Sequence, residues 1–209
     1  IHGAAGGVGL AAIQIAQLLG LTIYATAGTQ AKRDLVRALG VEHVYDSRSL
    51  AFVDAVRRDT KGGGVDLVLN SLAGNAAEQS LSLLSPFGRF LELGKRDFYA
   101  DNPVFLRPFG RNLSYYGIDV DQLLTQKPRV GERVFADVMH AFEEGSLTAL
   151  PVTVFGRREA ARAFALMQSA SHVGKIVVTM DETTSDVTEA QPSEMQDRKS
   201  TRLNSSHSI

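Results

Sequence analysis

At its start the chain runs Ile1-His2-Gly3 into Ala4-Ala5-Gly6-Gly7-Val8-Gly9, then straight into a stretch whose apolar residues recur at helical spacing. A glycine cluster between a strand and a helix constrains the fold sharply, because it marks backbone that something else must approach closely. The segment matches G-x-G-x-x-G with Ala4 in the place of the first glycine. Gly6 and Gly7 leave room for a pyrophosphate against the N–H groups of the helix N-terminus, where the helix dipole favours an anion. Val8 belongs to the opening turn, and Gly9 lets the helix pack tightly on the sheet. The strand feeding the loop is a stub, residues 1–2, and no Met or leader precedes it, so the chain is expected to be truncated at its front.

Beyond the loop, segments of period 3.6 alternate with short β-rich runs. Helices are expected over residues 8–19, 31–39, 50–60, 76–84, 129–144 and 158–169. Strands are expected over 21–27, 42–45, 65–70, 88–93, 151–155 and 173–179, with an edge strand within 113–120. That alternation predicts an α/β fold, a doubly wound parallel sheet. Residues 1–124 read as the dinucleotide-binding domain, 125–181 as helices and strands completing it, and 182–209 as a polar tail. The tail has too little apolar surface to repay ordering and is expected to be disordered. From Asp197-Arg198-Lys199-Ser200-Thr201-Arg202-Leu203-Asn204 onward it is similar to the in-frame translation of a sequencing-adapter oligonucleotide; residues 197–209 are expected to carry no biology.

The second strand distinguishes the two dinucleotides. An NAD site places Asp or Glu about 20 residues past the glycines, to bind the ribose 2′-hydroxyl. Here that count lands in Thr26-Ala27-Gly28-Thr29, without an acid, and Lys32 and Arg33 follow. Cations at a helix start oppose the dipole unless an anion is bound there. Thr29, Lys32 and Arg33, with Arg48 in the next strand-to-helix turn, are therefore candidates to hold a 2′-phosphate, and the cofactor is expected to be NADPH.

Composition removes other classes. Lys and Arg number 22 against 23 Asp and Glu, a net charge of -1, so no nucleic-acid-binding face is implied. There is no cysteine, hence no disulfide, thiolate nucleophile or Cys-ligated zinc, and a cytoplasmic location is expected. His2, His43, His140 and His172 are scattered without H-E-x-x-H, so no metal site is expected. No run of about 18 apolar residues exists, so no membrane helix is expected. Ser71 lies in no G-x-S-x-G elbow, and Tyr115 and Tyr116 read as strand packing.

Three further stretches occur in order: Val68-Leu69-Asn70-Ser71-Leu72-Ala73-Gly74, then Gly88-Arg89-Phe90-Leu91-Glu92-Leu93-Gly94-Lys95, then His172-Val173-Gly174-Lys175-Ile176-Val177. Together with the glycine loop they resemble the enoyl reductase domain of polyketide synthases, a zinc-free, quinone-oxidoreductase-like branch of the medium-chain dehydrogenase/reductase superfamily. The lipid-making synthases of actinobacteria are the nearest type. The resemblance covers residues 1 to about 180.

It implies reduction of the α,β double bond of an enoyl thioester, with NADPH as hydride donor. The substrate would ride on the phosphopantetheine arm of an acyl carrier protein domain, beside neighbouring synthase domains, and the reductase would be a homodimer. Asn70, Ser71, Leu72 and Gly94 would border the nicotinamide, with Gly174 and Lys175 beside the cofactor. Lys95 and Asp119, the latter in Tyr116-Gly117-Ile118-Asp119, would be catalytic. Residues 97–111 depart from the shorter linker of many such domains and are candidates for the substrate side or a dimer contact. Residues 125–181 would return to a substrate domain absent from the chain, so the chain alone is expected to turn over little. Two other readings stay open: a free-standing NADPH quinone or enone reductase, and a non-catalytic nucleotide-binding relative.

Overall fold

In the computed structural model, which describes residues 1–180, the glycine segment carries the chain from residues 1–4 into helix α1 (Gly7–Leu18). The expectations for 182–209 lie outside the described residues. Residues 1–4 are too short for a regular strand, yet they occupy the middle of the sheet. The His2 N–H donates to Leu69 O, the Thr26 N–H to Ile1 O and the Ala4 N–H to Thr26 O, each at 3.0 Å. On one side stands β1 (Tyr24–Ala27), paired in parallel with β2 (His43–Asp46). On the other stands β3 (Val65–Asn70), followed outward by β4 (Leu84–Glu92) and β5 (Ser114–Gly117), all parallel. The order β2-β1-(1–4)-β3-β4-β5 is that of the doubly wound sheet anticipated above, with its switch point beside residues 1–4.

Helices α2 (Gln30–Ala38), α3 (Ala51–Asp59) and α4 (Asn75–Ser82) make the crossovers. Their apolar stripes bury against the strands in three clusters. Ala4, Ile13, Ala25 and Val36 form one, Val68, Leu81, Phe90 and Leu113 a second, and Phe52, Val53, Val56 and Leu83 a third. Two elements differ from their expected spans for local reasons. Strand β1 begins at Tyr24 rather than 21, because Gly20, at φ +66°, ends α1 in a turn that spends the Leu21 N–H on Ala16 O. Strand β4 begins at Leu84, which pairs with Val65 before the register shifts to Leu67 opposite Arg89; Phe87, at φ +65°, carries the irregularity.

After β4 come a short helix α5 (Arg96–Tyr99) and a 3-10 turn (Arg107–Arg111). Helix α6 (Val120–Gln126) then follows β5, and α7 (Pro128–Glu143) opens on the proline suited to a first helical turn. The chain closes with β6 (Val152–Gly156), α8 (Ala160–Gln168) and β7 (Lys175–Thr179), a parallel β-α-β unit. This unit returns to the glycine loop, where the Gly174 N–H donates to Ala5 O at 3.0 Å. No described helix is long and apolar enough to cross a membrane.

A histidine sits in the sheet's centre. His2 is buried, with Nδ1 2.8 Å from Thr26 Oγ1 and Nε2 2.8 Å from Ser80 Oγ. The Ser80 hydroxyl donates to Ala76 O, so it accepts from Nε2–H, and the Thr26 hydroxyl donates to Nδ1. Burial lowers the His2 pKa from 6.5 to about 3. A folded value below the unfolded one gives stability that is present above pH 6.5 and lost as pH falls toward about 3. The loss runs at about 1.4 kcal/mol per pH unit. Urea midpoints should fall over that window, and His2→Gln, which does not titrate, should flatten this part of the slope. An unchanged slope in that variant would remove His2 as the cause.

Candidate active site

The site lies along the carboxyl edge of the sheet, where the strand-to-helix turns gather. Helix α1 starts so close to residues 3–4 that a Cβ on Gly9 would stand 2.4 Å from Gly3 O and 2.5 Å from Ala4 Cα. No side chain caps α1, so the first-turn N–H groups of Gly7, Val8 and Gly9 open toward the loop mouth. A cation comes to meet them. A Cβ on Gly7 would lie 2.6 Å from Lys175 Cε and 2.9 Å from its Nζ, so the Lys175 side chain passes over the helix start. The Gly174 bond to Ala5 holds it there. Uncapped N–H groups beneath an ammonium fit a pyrophosphate.

The second turn assembles more positive charge. Thr29 caps α2, its Oγ1 accepting the Lys32 N–H at 3.3 Å. Lys32 Nζ donates to Ala170 O at 2.6 Å, and the Arg48 guanidinium lies over Gly28, Nε 3.2 Å from where a Cβ there would be. Partial burial, then the neighbouring Arg48 charge, pushes the Lys32 pKa down. The two cations thus repel each other, and neither has an ion-pair partner among the described residues. Arg33 is engaged elsewhere: it donates to Ala27 O at 3.2 Å, pairs with Asp46 at 3.4 Å, and reaches Gln30 Oε1 at 3.0 Å. The pair that stands ready for an anion is therefore Lys32 and Arg48.

At the far end three turns converge. Asn70, fully buried at the end of β3, donates through Nδ2 to Leu72 O at 2.8 Å and accepts the Leu72 N–H through Oδ1 at 3.2 Å, which shapes the 70–72 turn. The Leu72 side chain packs against the Phe52–Val53–Val56–Leu83 cluster, so only its backbone faces the edge. Ser71 Oγ lies 3.2 Å from the position of a Cβ on Gly3, joining this turn to the glycine loop. Asn70 Nδ2 also donates to Glu92 Oε2, and the Gly94 N–H donates to Glu92 Oε1, both at 2.6 Å. Burial raises the Glu92 carboxyl pKa, while these hydrogen bonds oppose the shift.

Lys95 follows. Its ammonium donates to Asp119 Oδ1 at 2.9 Å and Asp121 Oδ2 at 3.2 Å. The hydrogen bond to Asp119, then that to Asp121, holds Lys95 above the ordinary lysine range, and Lys95 in turn holds Asp119 below the usual carboxylate range. Asp119 is also the cap of α6, accepting the Asp121 N–H at 3.1 Å. The pair lines a cavity of about 530 Å³ with Phe98, Tyr99, Ile118 and Leu123. A charged ammonium on an apolar cavity wall can donate a proton or stabilise a developing oxyanion.

The structure thus unites Gly6, Gly7, Val8, Gly9, Gly174 and Lys175 at one end, and Asn70, Ser71, Leu72, Gly94, Lys95 and Asp119 at the other. Sequence reasoning passed over Asp121 and Glu92. The first was signalled by an acid two residues after a capping acid; the second by a carboxylate two residues after the inward-facing Phe90.

Residues 39–178 match the family model described as zinc-binding dehydrogenase. The mycocerosic acid synthase-like polyketide synthase of Mycolicibacterium smegmatis is 46% identical over 183 residues, 88% of this chain. The chain spans only 9% of that relative's length. The nucleotide-binding subdomain of the enoylreductase domain of PpsC from Mycobacterium tuberculosis is 44% identical with a TM-score of 0.67, over 71% of this chain and 83% of that one. The CurF ER cyclopropanase of the curacin A biosynthetic pathway is 34% identical with a TM-score of 0.79, over 86% and 53% respectively. The donor set does not fit the zinc of the family description. Among the described residues no three His, Cys, Asp or Glu side chains stand together to hold a metal.

The two loop glycines should respond differently to a methyl group. Gly9→Ala drives Cβ into backbone at 2.4 Å and should cost about 2 kcal/mol or more of stability. Gly7→Ala meets only the flexible end of Lys175 and should cost less than about 1 kcal/mol. Urea unfolding of the two variants checks the ordering, and equal losses would refute the packing account.

Proposed function

Because the chain belongs to the zinc-binding dehydrogenase family, and within it to the enoyl reductase domains of polyketide synthases, we propose that it is the cofactor-binding part of an NADPH-dependent enoyl reductase. Its substrate is an α,β-unsaturated acyl thioester on an acyl carrier protein, and its partners are the neighbouring domains of a synthase and a second copy of the reductase. The observation that carries this reading is the Lys95 ammonium, held 2.9 Å from Asp119 on the wall of a cavity at the carboxyl edge of β4 and β5.

The residues present fit the cofactor. The N–H groups of Gly7, Val8 and Gly9, with Lys175 above them, would take the pyrophosphate, Gly6 leaving room for it. Thr29, Lys32 and Arg48 would take the 2′-phosphate, and an uncompensated cation pair is what favours NADPH over NADH. Arg33 would support that pocket by fixing the end of β1 against β2. The backbone of Asn70, Ser71, Leu72 and Gly94 would border the nicotinamide. NADPH, when bound, supplies the hydride that adds to Cβ of the substrate.

The protein's own residues then deal with what the addition leaves. The thioester becomes an enolate, which needs a proton at Cα. Lys95 holds that proton, because two carboxylates keep it as an ammonium at neutral pH. An acid held this firmly gives its proton only to a strong base, and the enolate is one. Asp119 aims the ammonium and stabilises its charge; Asp121, far more exposed, adds to that field. Phe98, Tyr99, Ile118 and Leu123 give the acyl chain an apolar wall.

Two measurements test the reading. In the full-length protein, Lys95→Ala should lower kcat for NADPH-dependent reduction of a crotonyl thioester by about a hundredfold to ten-thousandfold, with NADPH binding unchanged. Turnover at the parent rate would refute the catalytic assignment. Lys32→Ala should weaken NADPH binding about tenfold to a hundredfold while leaving NADH binding unchanged. A parallel loss for NADH would refute the 2′-phosphate pocket.

A further inference from the structure

Glu92 is a buried carboxylate without a cation beside it. It ends β4, is 3% exposed, and forms no ion pair among the described residues. Its carboxylate partners are both donors: Asn70 Nδ2 on Oε2 and the Gly94 N–H on Oε1, both at 2.6 Å. A carboxylate is the side chain that offers two acceptor oxygens and no proton. A glutamine of the same shape would aim an NH2 group at one of the donors.

Those donors, with a third on the Glu92 backbone carbonyl, stand at the ends of three different strands. Asn70 ends β3 and fixes the 70–72 turn through both polar groups of Leu72. Gly94 begins the turn that presents Lys95, and it closes on the carboxylate so tightly that a Cβ there would lie 2.8 Å from Oε1. The Ile118 N–H, next to Asp119, donates to Glu92 O at 2.9 Å. One residue therefore holds the turns that carry Asn70–Leu72, Lys95 and Asp119, without reaching the cavity lined by Lys95 and Asp119.

We propose that Glu92 is a positioning residue, whose buried carboxylate sets the place of the Lys95 ammonium relative to the 70–72 turn. It touches none of the reacting atoms; it works by pulling the Asn70 amide and the Gly94 N–H onto one group. The inference rests on the enoyl reductase reading for its kinetic consequence, and on hydrogen-bond geometry alone for its structural one.

The test uses the full-length protein and three variants: E92Q, K95A and E92Q/K95A. In E92Q, amide exchange at Gly94 should accelerate, and kcat for the crotonyl thioester should fall about tenfold to a hundredfold with KM little changed, as expected of a misplaced catalytic group. In the K95A background, E92Q should cost no further kcat, which a general loss of structure would not produce. Full turnover by E92Q, or additive losses with K95A, would each overturn the proposal. Full turnover by K95A would instead defeat the enoyl reductase mechanism, leaving the Gly94 exchange rate to judge Glu92.

Discussion

The contact on which the site depends is the one between α1 and residues 3–4. Gly9 has no side chain, and the helix uses the missing atom: there is no space for a Cβ between it and Gly3 O. At any greater separation, the first turn would not open beside the sheet's carboxyl edge. Gly174 would not reach Ala5, and Lys175 would not lie across Gly7. The β6-α8-β7 unit is tied to the same place, and Gln14 of α1 reinforces the tie by exchanging hydrogen bonds with the backbone of Thr148 at 2.9 and 3.1 Å. Residues far apart in sequence are thereby held around one patch of uncapped N–H groups.

Much of this was legible in the sequence, for a specific reason. The strand Val65–Asn70 is rich in Val and Leu and is preceded by Gly62-Gly63-Gly64, so its start could be read directly. Helices with an apolar stripe were placed to within one or two residues. What escaped was structure set by a cap or by a contact. Helix α6 exists where Asp119 accepts the Asp121 N–H, and its three apolar residues, Val120, Leu123 and Leu124, make too short a stripe to announce it. Strand β1 is short because a turn takes the Leu21 N–H. Within the site, the glycine loop is local and was readable. The Lys95–Asp119 pair spans 24 residues and came only from resemblance. Glu92 lies within one of the three resembling stretches, and nothing in the sequence separates it from the carboxylates that ordinarily face solvent.

Arg33 and Arg48 show how far counting charges can mislead. Both lie near the end of β1, and Lys32-Arg33 reads as a basic pair. On α2, however, neighbouring residues point about 100° apart, so the two side chains cannot share a target. Lys32 reaches Ala170 on the returning segment, whereas Arg33 turns under β1 to Ala27 and Asp46. The second cation comes instead from the turn after β2, where Asp46 accepts the Arg48 N–H at 2.8 Å and so sets the direction of its backbone. Parallel pairing of β1 with β2 brings that turn beside Gly28.

The two lysines at opposite ends of this edge are held in opposite electrostatic states. Lys95 has Asp119 and Asp121 on it, and its proton is held more firmly than in water. Lys32 has Arg48 near it and no carboxylate in an ion pair among the described residues, and its proton is held less firmly. A fold under selection for stability alone would not leave the second arrangement, since like charges brought together cost free energy and exposed pairs return little. The cost is recovered when a dianion enters between them, and Lys95, already compensated, offers no such gain. On the proposed reading an anion would thus be drawn to the Lys32 end and would leave the ammonium at the other end free to keep its proton. With Glu92 fixing where that ammonium stands, as proposed, the distance between a 2′-phosphate at Lys32 and Arg48 and the proton donor would be set by the sheet itself, not by the loops on its surface.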